Sequence, residues 1–498
     1  MLNMKGHGQS ASGQERAPLF EAILAHLRDE DIRLHVPGHK GGRGAAEFLS
    51  EALGREAVRL DLTELPGLDD LHSPTGPIAD AEALAAEAFG AARTFFLVNG
   101  STAGVLAMML ASVCPGEKAY VPRAMHRSLL SALVLTGADP VYLEPRVDET
   151  YGLPLPQDPG DLAAAVRRHP GGRVVFLVDP TYHGLCADLD RLGEEAAAAG
   201  VRVCVDEAHG AHFGFAPDLP SRALASGKVA AATQSLHKMG TALTQGALLH
   251  LAADDLDPER VRAALAAVQT SSPSYVLMAS LDLARRFMAT SGPAVFAGLA
   301  RSMRATAARL SALPGLRVFE GPASPRGRDP LKLTLVVEAP GDARDLARDL
   351  AERHGVHAEL ADERAILFIA GPGTTAGDLD RLEAGVEDYL RRTPAGRPAR
   401  GAQDERDGRD LAVLLRHLPP PATTPREAFF ARSERVTIAD ALGRIAAEAV
   451  VPAPPGIPAV MPGERLDRET IELLNRLARA GAHCQGGGPG LGWIRVLA

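Results

Sequence analysis

Between residues 94 and 207 short apolar runs and helical stretches take turns, and this alternation restricts the fold more than any other feature of the chain. TFFLV (94–98), KAYVP (118–122), PVYLEP (140–145), RVVFLVD (173–179) and VRVCVDE (201–207) are short, apolar and rich in β-branched residues. Between them, TAGVLAMMLASVC (102–114), DLAAAVRRH (161–169) and LDRLGEEAAAAG (189–200) carry apolar residues at helical spacing. Strands that are apolar throughout are buried on both faces. Strand–helix alternation at this spacing therefore predicts βαβ units, an α/β fold and a mostly parallel sheet.

The remaining chain divides around that region. Residues 1–17 are polar and read as a disordered tail, followed by an N-terminal segment over 18–60 and a large α/β domain over 61–285. Residues 286–392 are arginine-rich and helical, with strand candidates at LKLTLVVEA (331–339) and RAILFIA (364–370), and read as a smaller α+β domain. The charged, Gly- and Pro-rich stretch 393–410 reads as a linker. A third unit, 411–498, contains the turn-rich VPAPPGIPAVMPGE (451–464).

A net charge of -9 lacks the basic footprint of a nucleic-acid binder. The N-terminus has no apolar signal-peptide core, and the richest apolar run, VLAMMLASVC (105–114), is too short to span a bilayer. Four scattered cysteines without a CxxC pair read as reduced thiols rather than a disulfide frame or zinc site. The expectation is a cytoplasmic protein with no membrane or nucleic-acid partner and no metal.

Three strings of the α/β region carry chemistry. FFLVNGSTAG (95–104) reads as strand, tight turn and helix start, where Ser101 and Thr102 offer hydroxyls and free N–H groups to an anion, or simply cap the helix. CVDEAHG (204–210) puts Asp206 at a strand tip, as a helix cap, a metal ligand or the partner of a cationic ring nitrogen. SLHKMG (235–240) holds Lys238, one of six lysines in a chain with 53 Lys+Arg, among small and apolar residues. Such a lysine either snorkels at the surface or, if buried, becomes a neutral amine able to attack a carbonyl. Phosphate site, strand-end acid and reactive lysine in one α/β domain match what pyridoxal 5'-phosphate (PLP) needs: a phosphate cradle, a carboxylate on its pyridine nitrogen and a Schiff-base lysine. His126, after a strand in VPRAMHRSLLSAL (121–133), could stack on such a ring.

These strings, with HVPGHKGG, LDDLHSPTGPI, DPTYHG, TSSPSYVLMASLDLAR and PPGIPAVMPGE, make the chain resemble the PLP-dependent ornithine/lysine/arginine decarboxylases, in the shorter bacterial form without a receiver-like domain. The resemblance implies an aspartate-aminotransferase-like (fold type I) PLP domain, a smaller α+β domain and a C-terminal family-specific domain. It implies Lys238 as the covalent anchor of PLP, Asp206 at the pyridine N–H, His126 on the ring, and Ser101, Thr102 and Ser235 at the phosphate with His237 beside it. His209 would lie near the cofactor, and Ser271 in TSSPSY would reach the phosphate of a neighbouring subunit in a homodimer with shared sites.

The reaction implied is decarboxylation of a small cationic amino acid, arginine first and lysine or ornithine next, to the amine and carbon dioxide, as in polyamine biosynthesis. Lys238 or His237 would reprotonate Cα. Asp61, Glu64, Asp69 and Asp70 are candidate partners of the substrate's distal cation, or solvated loop charges. An aminotransferase or other PLP lyase on the same fold is the alternative, and a catalytically inactive regulatory relative a further one.

Overall fold

The computed structural model describes residues 13–27, 32–253, 255–338, 342–393, 416–452, 457–479 and 481–498. Its centre is a seven-stranded sheet built from β1 (Arg93–Leu97), β2 (Lys118–Pro122), β3 (Asp139–Leu143), β4 (Val174–Val178), β5 (Arg202–Asp206), β6 (Ala231–Gln234) and β7 (Ala247–Leu251). The order is β1-β7-β6-β5-β4-β2-β3. β2, β3, β4, β5 and β6 run parallel, and β7 is antiparallel to both of its neighbours, β6 and β1. The α/β reading with a mostly parallel sheet therefore holds. The two strands that it did not include, β6 and β7, are AATQ and ALLHL.

The parallel strands are apolar because both faces are covered. One face packs the helices Gly100–Ser112 and Arg127–Thr136, contributing Val105, Met108, Met109, Leu129 and Leu133 to one core cluster. The other receives Leu162, Leu189, Leu192 and Ala196 of the helices Pro159–Arg168 and Leu189–Ala198. Helix Gly100–Ser112 is buried nearly all round, which explains a stretch with no polar face.

A second, antiparallel sheet follows, from β8 (Leu316–Val318), β9 (Lys332–Val337), β10 (Leu360–Ala361) and β11 (Ala365–Ile369), ordered β10-β11-β9-β8. The helices Gly292–Ser311 and Ala376–Arg392 pack on it through Met303, Leu310, Leu382 and Val386. The C-terminal part carries two small two-stranded sheets, β12 (Ser433–Val436) with β15 (Ile494–Leu497) and β13 (Val451–Pro452) with β14 (Cys484–Gln485). Helix Arg468–Arg479 buries Leu473, Leu474 and Leu477 in their shared core.

Residues 13–17, read as part of the tail, are anchored instead. Arg285, fully buried, donates to the carbonyls of Gln14 (2.8 Å) and Arg16 (2.6 Å), and Ala17 is buried. Most of the expected linker 393–410 lies outside the described residues. No helix among the described residues is long and apolar enough to cross a membrane.

Candidate active site

The five parallel strands, and β1 alongside them, end on one edge of the sheet, where ligands of α/β folds collect. The segments leaving that edge carry the residues singled out in the sequence. After β1 the chain turns through Gly100 (φ 72°), a conformation that favours glycine, and enters the helix Gly100–Ser112. Asn99 stands at the cap position but makes no side-chain bond to the helix; its Oδ1 accepts from Thr270 N (3.2 Å). The first N–H groups of that helix therefore lack a side-chain cap, which leaves them for an anion. Ser101 is buried and its Oγ lies 2.8 Å from Ser235 Oγ, which joins the turn after β1 to the turn after β6; Thr102 is exposed.

Lys238 lies on the one-turn helix Leu236–Met239 that follows β6. Its Nζ is 3.1 Å from His209 Nε2. Surrounding protein lowers its pKa by desolvation, and the nearby carboxylates of Asp206 and Glu359 act in the opposite direction. The residue is nevertheless exposed, the surface alternative of the two that the sequence left open. A single turn at the strand edge buries its apolar members Leu236 and Met239 beneath it and leaves Lys238 on the open side.

Asp206 ends β5, and its Oδ1 accepts from Ala208 N (3.1 Å). His126 follows β2 and caps the helix Arg127–Thr136: its Nδ1 accepts from Ser128 N (3.2 Å). That bond places the proton of the neutral ring on Nε2. Desolvation lowers the His126 pKa, while Asp206 raises it and Lys238 lowers it further, so the three groups share one neighbourhood. His209 is shifted well below its usual value by burial, and its Nδ1 is buried without a hydrogen-bond partner. His237 donates from Nδ1 to Gly246 O (3.0 Å). Ser271 is exposed, in a loop tied to the same chain through Thr270 and Asn99.

The structure thus gathers Lys238, His209, Asp206 and His126, and links Ser101 to Ser235. Three of the four acids of the 61–70 loop have partners within the chain, and among the described residues the exposed Glu64 accepts only from its neighbour Thr63. The Asp69 carboxylate accepts from the N–H groups of Thr75, Gly76, Ile78 and Ala79 and so caps the helix Pro77–Phe89; Asp61 pairs with His39 at 3.0 Å, and Asp70 accepts from His72 N. Residues not singled out from sequence also reach this neighbourhood. Glu359, just before β10, accepts from the Tyr182 hydroxyl, and the Tyr182 ring packs edge-on against His209 with centroids 4.7 Å apart. Lys332, fully buried at the start of β9, donates to Thr181 O (3.5 Å), and burial pushes its pKa down to about 8. The acid and the lysine come from the second sheet, whose contribution to the edge no local string announces.

Comparison with known proteins identifies the family and the fold. The family model "Orn/Lys/Arg decarboxylase, major domain" matches residues 17–323, and the C-terminal domain model of the same family matches 410–490. An arginine decarboxylase of Bacillus subtilis is 35% identical over 95% of this chain and 96% of its own length. The lysine decarboxylase LdcA of Pseudomonas aeruginosa is 27% identical over 92% of this chain and 75% of its own. The crystal structure of the Francisella novicida lysine decarboxylase LdcF superposes with a TM-score of 0.84 at 19% identity, covering 98% of this chain and 82% of that one. A serine palmitoyltransferase from Sphingomonas wittichii shares the fold more distantly, with a TM-score of 0.54 over 71% of this chain. The chain belongs to the ornithine/lysine/arginine decarboxylase family, has the aspartate-aminotransferase-like fold, and is a decarboxylase of basic amino acids.

Proposed function

We propose that this chain decarboxylates arginine to the corresponding amine, with PLP held covalently by Lys238. The observation that carries the reading is the Lys238 amine beside His209 and close to Asp206 and His126, at the strand edge where an uncapped helix start and two linked serine hydroxyls stand. The donor set fits the cofactor: an amine for its aldehyde, a strand-tip acid for its ring nitrogen and hydroxyls with free N–H groups for its phosphate. When bound, PLP accepts the electron pair left at Cα as carbon dioxide departs.

The residues divide the work. Asp206 would hold a proton on the pyridine nitrogen, His126 would cover the ring, and Ser101, Thr102 and Ser235 would take the phosphate with His237 nearby. His209 faces Lys238 with Nε2 and keeps a buried Nδ1 without a hydrogen-bond partner. Lys238 returns the proton to Cα; His237, whose Nδ1–H is held by Gly246 O, keeps Nε2 as the nitrogen that could do so in its place. Glu359, held by the Tyr182 hydroxyl beside His209, is the carboxylate that would meet the substrate's distal cation. Ser271, exposed on its loop, would serve the phosphate of a second copy in a homodimer. Arginine leads because the relatives at about one-third identity across nearly the whole chain carry that substrate in their names.

The test is an assay of carbon dioxide and amine release from arginine, lysine and ornithine. Arginine should give the highest kcat/KM, and Lys238→Ala should abolish both turnover and cofactor retention after borohydride reduction. Release of a keto acid in place of carbon dioxide, or full retention of reduced cofactor in Lys238→Ala, would overturn the reading.

A further inference from the structure

The C-terminal run IPAVMPGE (457–464) has no part in the chemistry described so far, yet it grips the three residues that precede His126. Arg123 is fully buried. Its guanidinium spends its donors on C-terminal residues: Nε to Pro458 O (2.8 Å), Nη2 to Ala459 O (3.1 Å) and Glu464 Oε2 (2.9 Å), and Nη1 to Glu464 Oε1. Ala124 packs in a small cluster with Val147 and the fully buried Ile457. Met125 shares its core cluster with Met461, also fully buried.

The run is shaped for this grip. Met461 N donates to Glu464 Oε2 (2.7 Å) and Glu464 N to Met461 O (3.2 Å), so the turn aims its own carboxylate. Gly463 makes that turn at φ 91°, where an added Cβ would collide with Thr423 O. On the other side, Arg123 N donates to Leu143 O (3.0 Å) and Met125 N to Arg123 O (3.0 Å), which leaves little slack between β2 and His126.

A buried, bidentate ion pair is weak evidence for stability, because apolar residues of similar volume often stabilise a fold as well. What the pair supplies in addition is direction: both partners must meet in one geometry. We propose that Arg123 and Glu464 are positioning residues of the active site, through which the C-terminal domain fixes the placement of the His126 imidazole. The proposal rests on the ring-covering role given to His126 above.

The experiment is a double-mutant cycle on the holoenzyme, with the apolar pair Arg123→Met/Glu464→Leu combined with His126→Ala. The apolar pair should keep the fold and lower kcat about tenfold with little change in KM, and the same pair should change kcat by less than about twofold once His126 is alanine. Visible circular dichroism of the bound cofactor should change with the apolar pair, a readout that does not depend on turnover. Glu464→Gln, assayed in the same cycle, serves if the apolar pair does not fold. Equal losses of kcat with and without His126, or a cofactor signal and kcat identical to wild type in the apolar pair, would overturn the proposal. His126→Ala with unchanged kcat would instead sink the role given to His126, and the circular dichroism of the pair would then decide positioning alone.

Discussion

At the residue scale, lysine is scarce enough for each of its positions to be informative. Lys238 and Asp206 were legible because each sits in a short string whose local form, strand tip or strand-to-helix turn, predicts where it faces. Lys332 and Glu359 were not, because each reaches the edge from the second sheet and their neighbourhood exists only after tertiary packing. Lys332 has a stability consequence. Its pKa in the fold is about 8, below the 10.5 of a free lysine, because burial penalises the charged form. Below pH 8 it is protonated in both states and carries the full burial cost. Between pH 8 and 10.5 the unfolded chain binds the proton and the folded one releases it, so stability rises with pH through that window. Lys332→Met removes the effect. The difference in unfolding free energy between wild type and variant should shift toward wild type by on the order of a few kcal/mol from pH 8 to 10.5. Parallel urea titrations at the two ends of the window measure it, and a flat difference would contradict the assigned burial.

Secondary elements were easiest to read where one physical cause dominates. β2 runs over the very residues assigned from its composition, and β4, β5, β9 and β11 lie inside the expected runs with frayed ends trimmed. β6 escaped because AATQ is four residues of weak strand propensity held by partners on both sides, β5 and β7. The turn of NGSTAG was legible, but the role of its last glycine was not. Gly104 lies where the helix Gly100–Ser112 crosses β6. An added Cβ there would strike Thr233 Oγ1 and come within 3.0 Å of Leu97 Cδ1. Thr233 is fully buried, and its hydroxyl donates to Leu248 O (3.1 Å), so it cannot easily yield. Gly104→Ala should therefore cost about 1–3 kcal/mol in spite of alanine's better helix propensity. By lifting the helix start it should also weaken PLP binding, because Ser101 rides on the first turn. Thermal unfolding and cofactor titration check the two effects; a stabilised variant would show that the helix slides freely over β6.

On the scale of the whole molecule, the arginine-rich composition of 286–392 was visible but its distribution was not, and burial decides what each guanidinium is worth. Arg317 pairs with Glu338 at the surface, with side chains 65% and 41% exposed. Arg326 instead reaches from the loop between β8 and β9 of the second sheet into the large domain, with its side chain 9% exposed. There it donates to the carboxylate of Asp179 after β4, lies 3.6 Å from the Glu207 carboxylate after β5, and bonds Ser221. Both acids are essentially unexposed, and burial already pushes Glu207 up to about 7 with Arg326 holding it down. Removing the cation leaves two desolvated carboxylates facing one another. Arg326→Met should destabilise the fold by about 3–5 kcal/mol, whereas Arg317→Met should leave the unfolding midpoint close to wild type. The sign of the pH dependence follows. Without Arg326 the folded pKa of Glu207 rises further above its unfolded value, so the folded state binds more protons and stability falls as pH rises. The deficit of Arg326→Met against wild type should therefore be larger at pH 8 than at pH 5 in matched denaturant titrations. A deficit independent of pH would mean that Arg326 acts through packing rather than through its charge.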